Sequence, residues 1–274
     1  MRIDVATIPY CGAPPLPATL LTRWNFDPVL LGGLLLVTVC YAYGTRRTHR
    51  TGKRPSVTDQ LFFYSGWLLT ALALVSPLCP LSVSLFAARA GQHMLLALVC
   101  APLVVAGRPD LAFRSLLGPR VERVANALAS TPLAASAVFA VLLWFWHTPA
   151  PYAATFASTT VYWLMHFSMF GAAFWLWSGL LDQTPEGAAR VIGAGLVSTV
   201  QMGLLGALIT LAPHALYAPH ALTTVAWGLT PLQDQQLGGA IMWVPGCLIF
   251  LCVAMLVLGL VMSRDETDLR AARS

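Results

Sequence analysis

"DQQLGGAIMWVPGCLIFLCVAMLVLGLVM", Asp234–Met262, opens on one aspartate and two glutamines and then carries no further charge until Arg264. A helix crosses about 30 Å of hydrocarbon with about 20 mostly apolar residues, and this stretch exceeds that length. The rest of the chain has the same character. Of 274 residues 57% are hydrophobic and only 10% are charged, where a soluble domain carries about a quarter charged residues. The sequence is that of an integral membrane protein. In lipid every backbone polar group must be satisfied internally, so only helices and closed barrels span. A barrel would need short alternating strands. Long continuous apolar runs predict an all-α, polytopic helix bundle.

Seven such runs are predicted, near 27–44, 59–76, 88–106, 131–147, 158–181, 190–212 and 237–262. No internal repeat or low-complexity segment divides them. The chain reads as one transmembrane domain, 1–274, with an external segment at about 1–26 and a cytoplasmic tail at about 263–274. The N-terminal "MRIDVATIPYCGAPPLPATLL" lacks a charged lead, clean apolar core and small-residue cleavage site, so it does not read as a cleaved signal peptide.

Basic residues set the orientation. The first loop, "GTRRTHRTGKRPS", carries Arg46, Arg47, Arg50, Lys53 and Arg54. Arg108, Arg114, Arg120 and Arg123 lie in the third loop, Arg190 in the fifth, and Arg264, Arg270 and Arg273 in the tail. Of the 16 basic residues only Arg2, Arg23 and Arg89 are left for the other side. The positive-inside rule then predicts an external N-terminus and a cytoplasmic C-terminus. The net charge of +5 reports topology, with no nucleic-acid partner implied.

On this map the histidines are unevenly placed. His49 sits in the basic first loop. His93, His147, His166, His214 and His220 gather toward the predicted outer side, and Asp234 starts the last helix at the same level. Imidazole is a common ligand for copper, zinc and iron, and thioethers favour Cu(I). Met94 follows His93, and Met169 lies three residues after His166, on the same helix face; Met202 and Met242 lie on helices that could border the same cavity. The structural alternatives are interfacial anchoring for the histidines, packing for the methionines, and a favourable helix-start position for Asp234. His166 stands apart, because a titratable group inside a span is a functional candidate by default.

Cysteine spacing is uninformative. Cys11, Cys40, Cys79, Cys100, Cys247 and Cys252 form no CxxC pattern; Cys11 and Cys79 lie outside the apolar runs and could pair or ligate a soft metal. Gly193, Gly195, Gly203 and Gly206 would let helices approach closely, and Pro102 and Pro245 should bend theirs. No nucleophile with a local base, phosphate loop or dinucleotide fingerprint is present, which points away from an enzyme.

The series "WNFDP" (24–28), "YAYGTRR" (41–47), "LVSPLCPLS" (74–82), "GQHMLL" (91–96), "APLVVAGRP" (101–109), "WHTPAPY" (146–152) and "DQQLGGAIMWVPG" (234–246) resembles the CtaG family of multi-pass cytochrome c oxidase assembly factors, associated with caa3-type oxidases. The likeness runs from Trp24 to about Met262. It implies a protein of the bacterial cytoplasmic (inner) membrane that helps mature a haem-copper oxidase. Oxidase subunits, copper chaperones and membrane lipid would be its partners. It also implies that Cu(I) is held or delivered on the outer side by His93 and His166, with His147, Asp234 and Met169 closing or tuning the site. Many members carry a histidine where this chain has Arg89, which removes an (i, i+4) histidine pair. Two other readings stand beside copper transfer: a metal-free scaffold for an oxidase subunit, and a b-type haem protein with His93 and His166 as axial ligands.

Overall fold

The computed structural model describes residues 8–48, 54–181 and 187–271; Arg2, His49, Arg50, Lys53 and Arg273 lie outside the described residues. The described residues form an all-helical bundle with no strand. In chain order the helices are α1 (Pro28–Thr48), α2 (Val57–Val75), α3 (Leu78–Ser84), α4 (Phe86–Leu95), α5 (Ala101–Ala106), α6 (Pro109–Leu117), α7 (Arg120–Ala129), α8 (Pro132–His147), α9 (Pro149–Ala157), α10 (Thr159–Leu180), α11 (Ala188–Thr210) and α12 (Pro231–Ala271).

Four of these units are long and apolar enough to cross a membrane: Pro28–Arg47, Phe86–Ala106, Ala188–Thr210 and Pro231–Gly259. Two bent pairs raise the number to six, α2 with α3 at 48° and α7 with α8 at 80°. The predicted run 158–181 is not among them. Its helix, α10, has 22 residues and no formal charge, but Tyr162, Trp163, His166, Trp175 and Trp177 dilute its hydropathy. It is nevertheless a central helix, burying Met165, Met169, Ala172, Ala173, Leu176, Trp177 and Leu180 in the main core with residues of α4, α8, α11 and α12.

Prolines shape the interior by orphaning carbonyls, and buried side chains recover them. Between α4 and α5 the helix widens into a π turn, Leu96–Cys100, where the Ala101 N–H bonds Leu96 O. Ala97 O would then need a donor at position 102, which is Pro102 and has none. The Trp177 indole N–H donates to Ala97 O instead, at 2.8 Å. Likewise Pro77 leaves Ala73 O without its helical partner, and the Gln92 amide donates to it at 2.6 Å. Trp177→Phe should therefore lower unfolding stability by about 1–3 kcal/mol, the cost of one buried unsatisfied acceptor. Trp175→Phe, whose half-exposed indole bonds at the bundle edge, should cost less. Equal thermal shifts for the two variants in detergent would refute the carbonyl-capture account.

Close packing of α11 on α12 depends on small residues. A Cβ at Gly206 would lie 2.8 Å from Trp243 Cβ, so only glycine permits this approach. Pro245 is carried within the unbroken α12. At the other end of the sequence, Cys11 and Cys79 form a disulfide, which excludes them as thiolate ligands in this state. It clips the N-terminal segment onto the α2–α3 corner, where Asn25 N–H also bonds Val75 O. Tyr10 stacks on Tyr162, and its hydroxyl donates to Asp27, holding that carboxyl below its usual range.

Candidate functional site

Three of the five histidines assigned to the outer rim converge. His93 lies about two turns inside α4, deeper than the helix mouth where the sequence put it. His147 is the last residue of α8, and His166 lies about two turns into α10. All three are buried. Ring centroids are 5.4 Å apart for His93 and His166, and 6.4 Å apart for His93 and His147.

Backbone carbonyls orient two of the rings. His166 Nδ1 lies 3.0 Å from Tyr162 O and His147 Nδ1 lies 2.7 Å from Leu143 O. A carbonyl only accepts, so each Nδ1 carries the proton and each Nε2 keeps its lone pair. This is the tautomer a metal-binding imidazole needs when its far nitrogen is the donor. The Nε2 atoms of His93 and His166 are buried with no hydrogen-bond partner. Buried polar atoms usually find a partner, and these two nitrogens, on helices whose imidazole rings meet, have none among the described residues.

The neighbours of this cluster are aromatic, sulfur-bearing and cationic. The Tyr162 ring packs on His166 at 4.1 Å between centroids. Arg89, one helical turn before His93, is buried. Its Nη2 donates to Thr155 Oγ1 at 2.6 Å and lies 3.9 Å from Met165 Sδ. Its guanidinium rests over the rings of Tyr152, Phe156 and Tyr162. Met169 is buried in the main core on the α10 face expected for it. No three His, Cys, Asp or Glu side chains among the described residues form a metal-sized ligand group. The structure offers a close imidazole pair with a third ring behind it.

Asp234 does not join the histidines. It is fully buried in the first turn of α12, and its two oxygens accept from Phe86 N–H at 2.6 Å and Ala87 N–H at 3.1 Å. These are first-turn amides of α4, orphaned because Leu85 is extended and breaks the chain from α3. The carboxylate thus caps another helix, adding charge–dipole attraction to two hydrogen bonds. The rest of the motif serves the same junction. Gln235 accepts from Leu216 N–H at 2.6 Å and donates to Ile209 O at 3.1 Å. A Cβ at Gly238 would strike the Phe86 ring.

His214 is exposed. His220 is buried, and its Nε2 is hydrogen-bonded with the Tyr152 hydroxyl at 2.7 Å. Burial pushes its pKa down to about 3, so it remains a neutral pin holding the 211–230 loop on α9. Sequence reading did not reach Tyr162, Met165 or Thr155 as neighbours of the cluster. The available signals were the four-residue spacings from Arg89 to His93 and from Tyr162 to His166, each of which stacks its pair on one helix face.

A family model described as cytochrome c oxidase caa3 assembly factor (Caa3_CtaG) matches residues 39–264, a span that holds all three clustered histidines, Arg89 and Asp234. No curated protein and no solved structure matches the chain. With most of its length covered, the chain belongs to the caa3 cytochrome c oxidase assembly factor family.

Proposed function

We propose that this member of the caa3 oxidase assembly-factor family acts without enzymatic chemistry, holding Cu(I) for a haem-copper oxidase at the His93–His166 pair. The observation that carries the reading is the pair of partnerless Nε2 atoms buried on facing helices. Imidazole nitrogen suits copper. A pair of ligands with His147 behind it leaves the ion open to exchange, unlike the closed tetrahedral cage of a structural site. Met165 brings a thioether against Arg89, Met169 would supply another from the turn after His166, and Asp234 contributes by positioning the helix that carries His93. Oxidase subunits receive the copper; other copper chaperones would supply it.

We read the bundle as seven spans of the inner membrane, adding α10, fifth in chain order, to the six candidate spans, with the N-terminus outside. The Cys11–Cys79 disulfide supports this orientation, since disulfides persist on the oxidising side of a bacterial membrane. In intact spheroplasts treated with a membrane-impermeant reductant, an impermeant maleimide should label Cys11. Labelling confined to inverted vesicles would reverse the topology, and the cluster would then face the cytoplasm.

A metal-free scaffold is the second reading, and Arg89 is the observation in its favour, because a guanidinium beside the imidazoles opposes a bound cation. The haem reading would need a space of porphyrin breadth between His93 and His166, whose ring centroids are 5.4 Å apart. Metal analysis and an optical spectrum of the purified protein separate the three. Copper without a Soret band is expected; a Soret band would favour haem, and the lack of both the scaffold.

A further inference from the structure

The cluster holds a positive charge that no ion pair among the described residues balances. Arg89 is 2% exposed, and the ion pairs among the described residues, Arg108–Asp110 and Arg114–Glu122, do not include it. Asp234, the buried carboxylate of this junction, has both oxygens on backbone amides. Aromatic faces and the Thr155 hydroxyl solvate part of the guanidinium. Its Nε–H is left buried without an acceptor.

Three buried side-chain atoms without a partner belong to this cluster: Arg89 Nε–H, a donor, His166 Nε2, an acceptor, and His93 Nε2, an acceptor in the tautomer that carries its proton on Nδ1. The guanidinium carbon lies 5.9 Å from the centre of the Tyr162 ring, whose centroid is 4.1 Å from that of His166, and Arg89 stands one helical turn before His93. Cu(I) on the two lone pairs would place a second positive charge beside the first, in surroundings too apolar to screen it. An anion that ligates Cu(I) and accepts from Arg89 Nε–H satisfies the third atom and removes the repulsion. We propose that Arg89 forms a halide subsite in the imidazole cluster, so that this chain takes Cu(I) together with one halide ion, chloride in the cell. The inference rests on the copper reading. It adds that copper binding is anion-dependent, and it gives the cation beside the imidazoles a role in holding cargo.

Bromide is the probe, because it scatters X-rays far more strongly than nitrogen or oxygen. The purified full-length protein is loaded with Cu(I) in bromide, or in perchlorate at equal ionic strength, and examined by X-ray absorption at the copper edge. One bromide scatterer on copper is expected in the wild type, with tighter copper retention in bromide than in perchlorate. Arg89→Met should lose the scatterer, keep the nitrogen neighbours, and retain copper equally in both salts. Replacing a buried ion by an apolar side chain of similar volume is commonly tolerated, and the two salts compared on wild type alone already test the proposal. Copper with only light or sulfur neighbours in bromide would overturn the halide subsite and leave the copper reading intact. No copper in either salt would overturn both.

Discussion

Asp234→Asn should lower the thermal stability of the purified protein and its level in the membrane. Two buried amides, Phe86 N–H and Ala87 N–H, depend on the two carboxylate oxygens. An asparagine offers one acceptor, and its NH2 group turns a donor toward the second amide. One buried donor left unsatisfied costs about 1–3 kcal/mol, and the lost charge at the α4 N-terminus adds up to about 1 kcal/mol. Asp234→Ala removes both acceptors and should cost roughly twice as much. Were Asp234 an ordinary cap of its own helix, asparagine would serve nearly as well, so the contrast between the two accounts is large. Added copper should restore neither variant's abundance, because the defect lies in the α4–α12 junction. Unchanged melting of Asp234→Asn, together with weakened copper retention, would overturn the capping role and return the residue to an imidazole-orienting one.

How far the sequence reached can be judged from particular elements. Hydropathy placed α2, α8 and α11 to within two residues at each end, because each is a continuous apolar run, whereas α12, Pro231–Ala271, extends well beyond the predicted 237–262 at both ends. It placed α10 to within a residue at each end, Thr159–Leu180 against 158–181, although tryptophan, tyrosine and histidine make this buried central helix only moderately apolar. The short helices α6, α7 and α9 fell in stretches read as loops, since their charges and prolines break any span-length run. His93, His147 and His166 were legible as a group because the positive-inside map put them at one level. His220 passed for a rim residue on the same map, although it pins a loop. The partner of Asp234 was out of reach: 148 residues separate it from Phe86, and no local pattern announces a cap delivered from another helix. The Cys11–Cys79 pairing was open for the same reason.

His166→Ala and His93→Ala should each abolish retention of Cu(I) against a competing chelator, with a loss exceeding the ~10–100-fold typical when an outer-shell partner of a metal ligand is removed. Each variant takes away one of the two buried Nε2 atoms, and Cys11 and Cys79, joined in a disulfide, offer no thiolate in its place. His147→Ala should cause a smaller loss, since its ring stands 6.4 Å from His93, farther than the 5.4 Å of the closest pair. His220→Ala should leave copper retention unchanged while lowering the melting temperature, because its Nε2 is engaged with Tyr152. The order of the four variants matters more than any single value. A general folding defect would scale copper loss with lost stability and would put His220→Ala among the worst binders. Removing His166 exposes no new buried donor, since Tyr162 O is still part of its helix, so His166→Ala should fold and reach the membrane. Copper retention by His166→Ala equal to that of the wild type would take the imidazole pair out of the copper path. The partnerless nitrogens would then belong to a scaffold whose buried waters satisfy them.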